Sequence, residues 1–126
     1  MTDFRIRIIL ALGALATMSS GTALAACSVK DFAVESFAVK LQQGSGQPRF
    51  SMKGQLVNHC AEAAAAQIRI DAKDASGKVL ASKQGWPAGT SNIEPGKSVD
   101  FDLGRLFRYQ SDMSDYTVLV SDAKTW

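Results

Sequence analysis

Polar and apolar residues alternate along most of the chain beyond residue 28, and the clearest run starts at Phe50. Phe50, Met52, Gly54, Leu56 and Asn58 share one parity; Ser51, Lys53, Gln55 and Val57 share the other. A period of two puts one side of a strand against a core and the other in water. Gly54 brings no side chain to the inner side, so it marks a bulge or the close approach of another backbone. After Asn58-His59-Cys60 the pattern resumes, with Ala64, Ala66, Ile68, Ile70 and Ala72 on one face and Gln67, Arg69, Asp71 and Lys73 on the other. Residues 61–66 are alanine-rich and favour helix on propensity. The alternation is firm only from Gln67, so a helical turn or loop is expected to lead into that strand. Asp74-Ala75-Ser76-Gly77 then reads as a turn, with Asp first and Gly last, and residues 78–83 return as a short strand.

The flanking segments follow the same grammar. Residues 29–41 read as a first strand with a change of phase: Phe32 and Val34 share one parity, Phe37, Val39 and Leu41 the other. A bulge or a switch between sheets near Glu35-Ser36 reconciles the two halves. Residues 42–48 are polar with two glycines and read as a hairpin loop, and residues 85–91 form another loop carrying Trp86-Pro87. Glu94-Pro95-Gly96-Lys97 places Pro and Gly at the centre of a type II turn. Val99, Phe101 and Leu103 alternate with Asp100 and Asp102, and Tyr116, Val118 and Val120 mark a last strand. The expected fold is all-β, an antiparallel immunoglobulin-like β-sandwich of about seven short strands.

The N-terminus carries an address. Arg5 and Arg7 precede an apolar run over 8–18, Ser19-Ser20-Gly21-Thr22 interrupts it, and Ala23-Leu24-Ala25 is a small-x-small cleavage site. Residues 1–25 are therefore expected to be a secretory signal peptide and 26–126 the domain. The apolar run is too short for a membrane-spanning helix. Leu24-Ala25-Ala26-Cys27 also resembles a bacterial lipobox, in which Cys27 becomes a lipid-modified first residue and the protein an outer-membrane lipoprotein. The alternative is a disulfide between Cys27 and Cys60. A hairpin centred near Ser45 carries both cysteines to its open end, and two cysteines in an exported chain usually pair.

Removing Arg5, Arg7 and Asp3 from the chain's 14 basic and 12 acidic residues leaves 12 and 11, well mixed along the sequence. That balance gives no electrostatic reason to expect nucleic acid, and no polybasic cluster points to an anionic lipid surface. The mature 101 residues suit one modest core.

Gly54-Gln55-Leu56-Val57-Asn58, Asp74-Ala75-Ser76-Gly77-Lys78-Val79-Leu80, Pro95-Gly96-Lys97-Ser98-Val99-Asp100-Phe101 and Tyr116-Thr117-Val118 together resemble the FxLYD family of bacterial immunoglobulin-like domains. Where that family's naming motif falls, this chain has Ile70-Asp71-Ala72-Lys73-Asp74. The resemblance implies a sandwich fold and an exported context, and it carries no activity or site with it.

Chemistry is sparse. His59, the only histidine, neighbours Cys60, whose pairing would remove a Cys-His nucleophile. Met52, Met113 and His59 are suitable copper ligands by type, but their spacing is unclustered, and Met52 falls on a core face. Asp100 and Asp102 share the solvent side of a strand; such a pair can act as an acid/base or cation pair, but far more often it is simply a hydrated face. Trp86 in its loop, and Arg105, Phe107, Arg108 and Tyr109 in an interleaved basic-aromatic stretch, are residue types that anchor protein contacts; each also suits a lid or corner of the core. The expectation is a periplasmic or secreted, non-catalytic module without cofactor that contacts an unidentified envelope protein. A copper or small-molecule carrier is the competing class.

Overall fold

The first two strands build a long hairpin. The computed structural model describes residues 26–126; the expected signal peptide over 1–25 lies outside them. β1 (Phe32–Gln42) and β2 (Arg49–Asn58) pair antiparallel from Gln42↔Arg49 at the closed end to Phe32↔Asn58 at the open one. The register shifts between Glu35 and Ala38, and Ser36 there takes a left-handed backbone with φ 57°. This bulge absorbs the change of phase, so Val34 before it and Val39 after it lie opposite Leu56 and Met52, the core side of β2. One strand therefore stays in one sheet, without switching.

β5 (Ser98–Asp102) adds to the free side of β2, giving a sheet of order β1-β2-β5. Gly54 makes this closeness possible. A side-chain carbon at residue 54 would stand 2.7 Å from the Phe101 ring and 3.3 Å from the Glu35 carbonyl oxygen. The second sheet has the order β4-β3-β6, built from β3 (Ala65–Lys73), β4 (Val79–Gly85) and β6 (Asp115–Lys124), again antiparallel. At the β4 edge, Lys83 lies opposite the buried Ile70. A charge placed on the inner side of an edge strand discourages another chain from adding there.

Two sheets of three strands make an all-β sandwich, and the strand count is six rather than about seven; the Ser36 bulge bends the first strand without dividing it. Two further expectations are corrected. The chain does not enter a strand directly after Cys27: Val29–Asp31 forms a 3₁₀ turn, where the Ser28 N–H donates to the Asp31 carboxylate at 2.8 Å. In the alanine-rich stretch the loop alternative holds over 61–63, and the strand begins earlier than the expected Gln67. Ala64 bridges Ile93 antiparallel, and β3 begins at Ala65. Ala64, Ala65 and Ala66 are all buried, so packing overrides helix propensity.

Two adjoining clusters fill the interior. Phe32, Leu56 and Phe101 from one sheet meet Ala66 and Ile68 from the other, with Ile93 and Cys27 closing the end. Farther along the sandwich, Met52, Ile70, Ala72, Phe107 and Met113 form the second cluster. Phe37, Leu103 and Val118 pack against both.

Candidate functional site

At the open end of the hairpin, Cys27 and Cys60 form a disulfide with Cα atoms 5.8 Å apart. A sulfur in that bond cannot also carry a thioether-linked lipid, so the bridge and lipidation of Cys27 exclude one another. Beside it lies a residue whose importance the alternation alone does not reveal. Asn58 is fully buried, and its amide donates to the carbonyls of Glu62 at 2.9 Å and Ile93 at 2.7 Å. Its side-chain oxygen accepts from the Cys60 N–H at 2.7 Å. Its backbone holds the loop before β5, accepting from Gly96 N–H at 2.7 Å and donating to Lys97 at 3.0 Å. A buried amide with its donors and acceptor satisfied fixes the geometry around it. The polar end of an otherwise apolar strand face was the only sign of it.

Two tryptophans sit at this end. Trp86, directly after β4, meets Trp126 edge to face with ring centroids 5.5 Å apart. Lys124 Nζ lies 4.0 Å from the Trp126 ring centroid, and the Trp126 backbone N–H donates to Asn92 Oδ1 at 3.0 Å. Trp86 is half-buried, while Trp126 remains 45% exposed. Each ring thus packs on the other, with Trp86 the more covered and Trp126 the more open to solvent. Trp126 has no periodic pattern around it, and sequence reasoning did not single it out.

The opposite end holds the other expected contact residues. After β5, Gly104–Leu106 make a 3₁₀ turn pressed onto β2. A side-chain carbon at residue 104 would overlap the Phe50 carbonyl group, so only glycine fits. Asp102 pins the turn: one carboxylate oxygen accepts from the N–H groups of Met52 and Gly104, each at 2.9 Å. Partial burial opposes ionisation of Asp102, yet these two N–H groups, with the charges of Lys53 and Arg105, hold its carboxyl below the usual range. Asp100 instead accepts from Gln55 Nε2 at 3.2 Å. The two carboxylates thus have separate hydrogen-bond partners.

The turn sorts the basic-aromatic stretch. Phe107 is buried, and Phe50 gathers Phe107, Tyr109 and Tyr116 at centroid distances of 6.4, 5.9 and 5.7 Å. Partial burial, with the Tyr109 phenol nearby, raises the Tyr116 hydroxyl above its ordinary pKa. Arg105 and Arg108 remain exposed and Tyr109 half-buried. Trp86 and the residues 105–109 therefore lie at different ends of the sandwich and form no single site.

The copper-ligand candidates are likewise separated. Met52 and Met113 belong to the second cluster, while His59 is exposed beside the disulfide, its backbone N–H donating to the Asp31 carbonyl at 2.8 Å. Among the described residues, Cys27, Asp31 and Cys60 are close enough to be considered as metal donors, but both sulfurs are tied up in the bridge. The described residues contain no helix long and apolar enough to cross a membrane. What the fold and its surfaces define is a small disulfide-closed β-sandwich. Compared with known proteins, the chain matches no family model, no curated protein and no solved structure.

Proposed function

We propose that this chain is a non-catalytic module of the bacterial cell envelope, exported to the periplasm or beyond, that works by contacting another protein. The observation that carries the reading is the tryptophan pair at the disulfide end. Indole rings held edge to face at a surface, one of them nearly half exposed, offer apolar area already ordered before a partner arrives. The disulfide supports an oxidising compartment, in keeping with the signal-like leader and with the FxLYD-like layout.

A photo-crosslinking residue placed at position 86, in protein exported by living bacteria, tests the reading. The expected result is a discrete adduct with one envelope protein, absent when the probe is moved to exposed Lys78 in the β3–β4 turn. Equal, diffuse labelling from both positions would count against a specific contact. The mass of the mature, non-reduced protein separately tests export: a polypeptide starting at Ala26, two hydrogens light and free of lipid, is expected.

A further inference from the structure

The closed end of the hairpin holds a cleft whose chemistry differs from the tryptophan surface. It opens between the loop Ser45-Gly46-Gln47-Pro48 and the Gly104 turn, with a volume of about 570 Å³. Phe50 and Phe107 line it with aromatic carbon, and Arg49 and Arg105 line it with two guanidinium groups; no acidic residue is in the lining. Both arginines are exposed, and neither has an ion-pair partner among the described residues. The placement follows from the fold. Arg49 opens β2 immediately before Phe50, and the glycine at 104 lets the chain lie on the Phe50 carbonyl, setting Arg105 beside the same loop.

We propose that this cleft anchors the C-terminal carboxylate of a partner polypeptide that ends in an apolar residue. That the carboxylate belongs to a protein rests on the contact role given above; the recognition chemistry does not. Guanidinium forks bind a carboxylate through paired hydrogen bonds, and an aromatic lining accepts the group that carries it. Two guanidinium groups in the lining supply charge for one carboxylate rather than for several anions. The Asp102 carboxylate stands close enough to feel Arg105, and basic and acidic residues nearly balance over the mature chain. A polyphosphate or an anionic membrane calls for a broad basic face, which this end lacks.

The test is an amide-shift titration of the exported protein, disulfide intact, with N-acetylphenylalanine. Two controls share the ring: N-acetylphenylalaninamide, without the charge, and phenyl phosphate, with more of it. The acid is expected to move the amides of Gly46, Arg49, Gly104 and Arg105, and to bind about tenfold more tightly than the amide. Arg49→Gln with Arg105→Gln is expected to remove about that tenfold difference while leaving the melting temperature unchanged. The double lysine variant should fall between, because it keeps charge without the planar fork. Equal binding of acid and amide, shifts confined to other residues, no shifts at all, or indifference to the double glutamine variant would each overturn the proposal. Tighter binding of phenyl phosphate would overturn the carboxylate in favour of a phosphate ligand. Because the small acid needs no partner, a failed crosslink at position 86 leaves this outcome readable, and the converse holds.

Discussion

The two ends of the sandwich are closed by different means. At the disulfide end a covalent bond and a buried amide hold the loops around Cys60 and Ile93. At the other end no covalent link exists: a glycine against a carbonyl, a carboxylate across two N–H groups and three aromatic rings around Phe50 do the same task. The first device limits how far the unfolded chain can spread. The second depends on close fit in the folded state. Each should therefore fail in its own way.

The largest effect belongs to the bridge. It closes a sequence separation of 33 residues, for which the chain-entropy treatment gives about 3–4 kcal/mol. Cys27→Ser with Cys60→Ser should lower the unfolding free energy by about that amount in a denaturant titration, and reductant should do to the native protein what the double variant does. Identical melting with and without reductant would remove the covalent half of the contrast. Asn58→Ala comes next. It leaves the Glu62 carbonyl and the Cys60 N–H without their Asn58 partner and the Ile93 carbonyl with the Ala64 N–H alone, a loss of about 2–3 kcal/mol. Hydrogen exchange should rise first at Cys60, Gly96 and Lys97, with residues 104–107 unaffected; exchange rising equally at both ends would mean that the two do not open independently.

How much of this could be read from the residues differs between the ends. The pairing of Cys27 with Cys60 was accessible because a polar loop centred near Ser45 fixes hairpin register, and register fixes which residues meet at the open end. The need for glycine at 54 was also legible, as a gap in an otherwise regular inner face. Asn58 was visible as a core-side position but not as a clamp, since its partners at Glu62 and Ile93 come from loops without period. The separation of Trp86 from residues 105–109 was hidden too. Alternation says which side of a strand a residue takes, but not toward which end of the sandwich a connecting loop returns. The alanine stretch misled for a related reason: alanine accepts strand or helix, and the bridge from Ala64 to Ile93 decides.

Gly104→Ala tests the close-fitting end. The added carbon overlaps the Phe50 carbonyl group, a backbone neighbour that cannot turn aside as a side chain does. The expected cost is about 2–3 kcal/mol. Broadened resonances for Phe50, Phe107 and Tyr109 should accompany it, with the Trp86–Trp126 contact unchanged. An alanine variant as stable as the wild type would show that the turn can lift from β2, and the aromatic end would then be the looser of the two.

The smallest effect carries a distinct sign. Asp102→Asn keeps an oxygen facing the Met52 and Gly104 N–H groups but removes its charge, and hydrogen bonds to a charged acceptor are the stronger kind. At neutral pH the loss should be about 1 kcal/mol. Because the folded pKa of Asp102 lies below its unfolded value, its ionisation contributes fully above the ordinary carboxylate pKa and is lost as pH falls through the depressed one. Wild type and variant should therefore differ at neutral pH and converge in acid, a trend that differential unfolding at a series of pH values can follow. At the disulfide end the double serine variant should show no such convergence, since neither the bridge nor the Asn58 amide titrates in that range. A gap for Asp102→Asn that stays constant into acid would mean that the turn is held by the geometry of Gly104 alone, with the carboxylate an incidental neighbour.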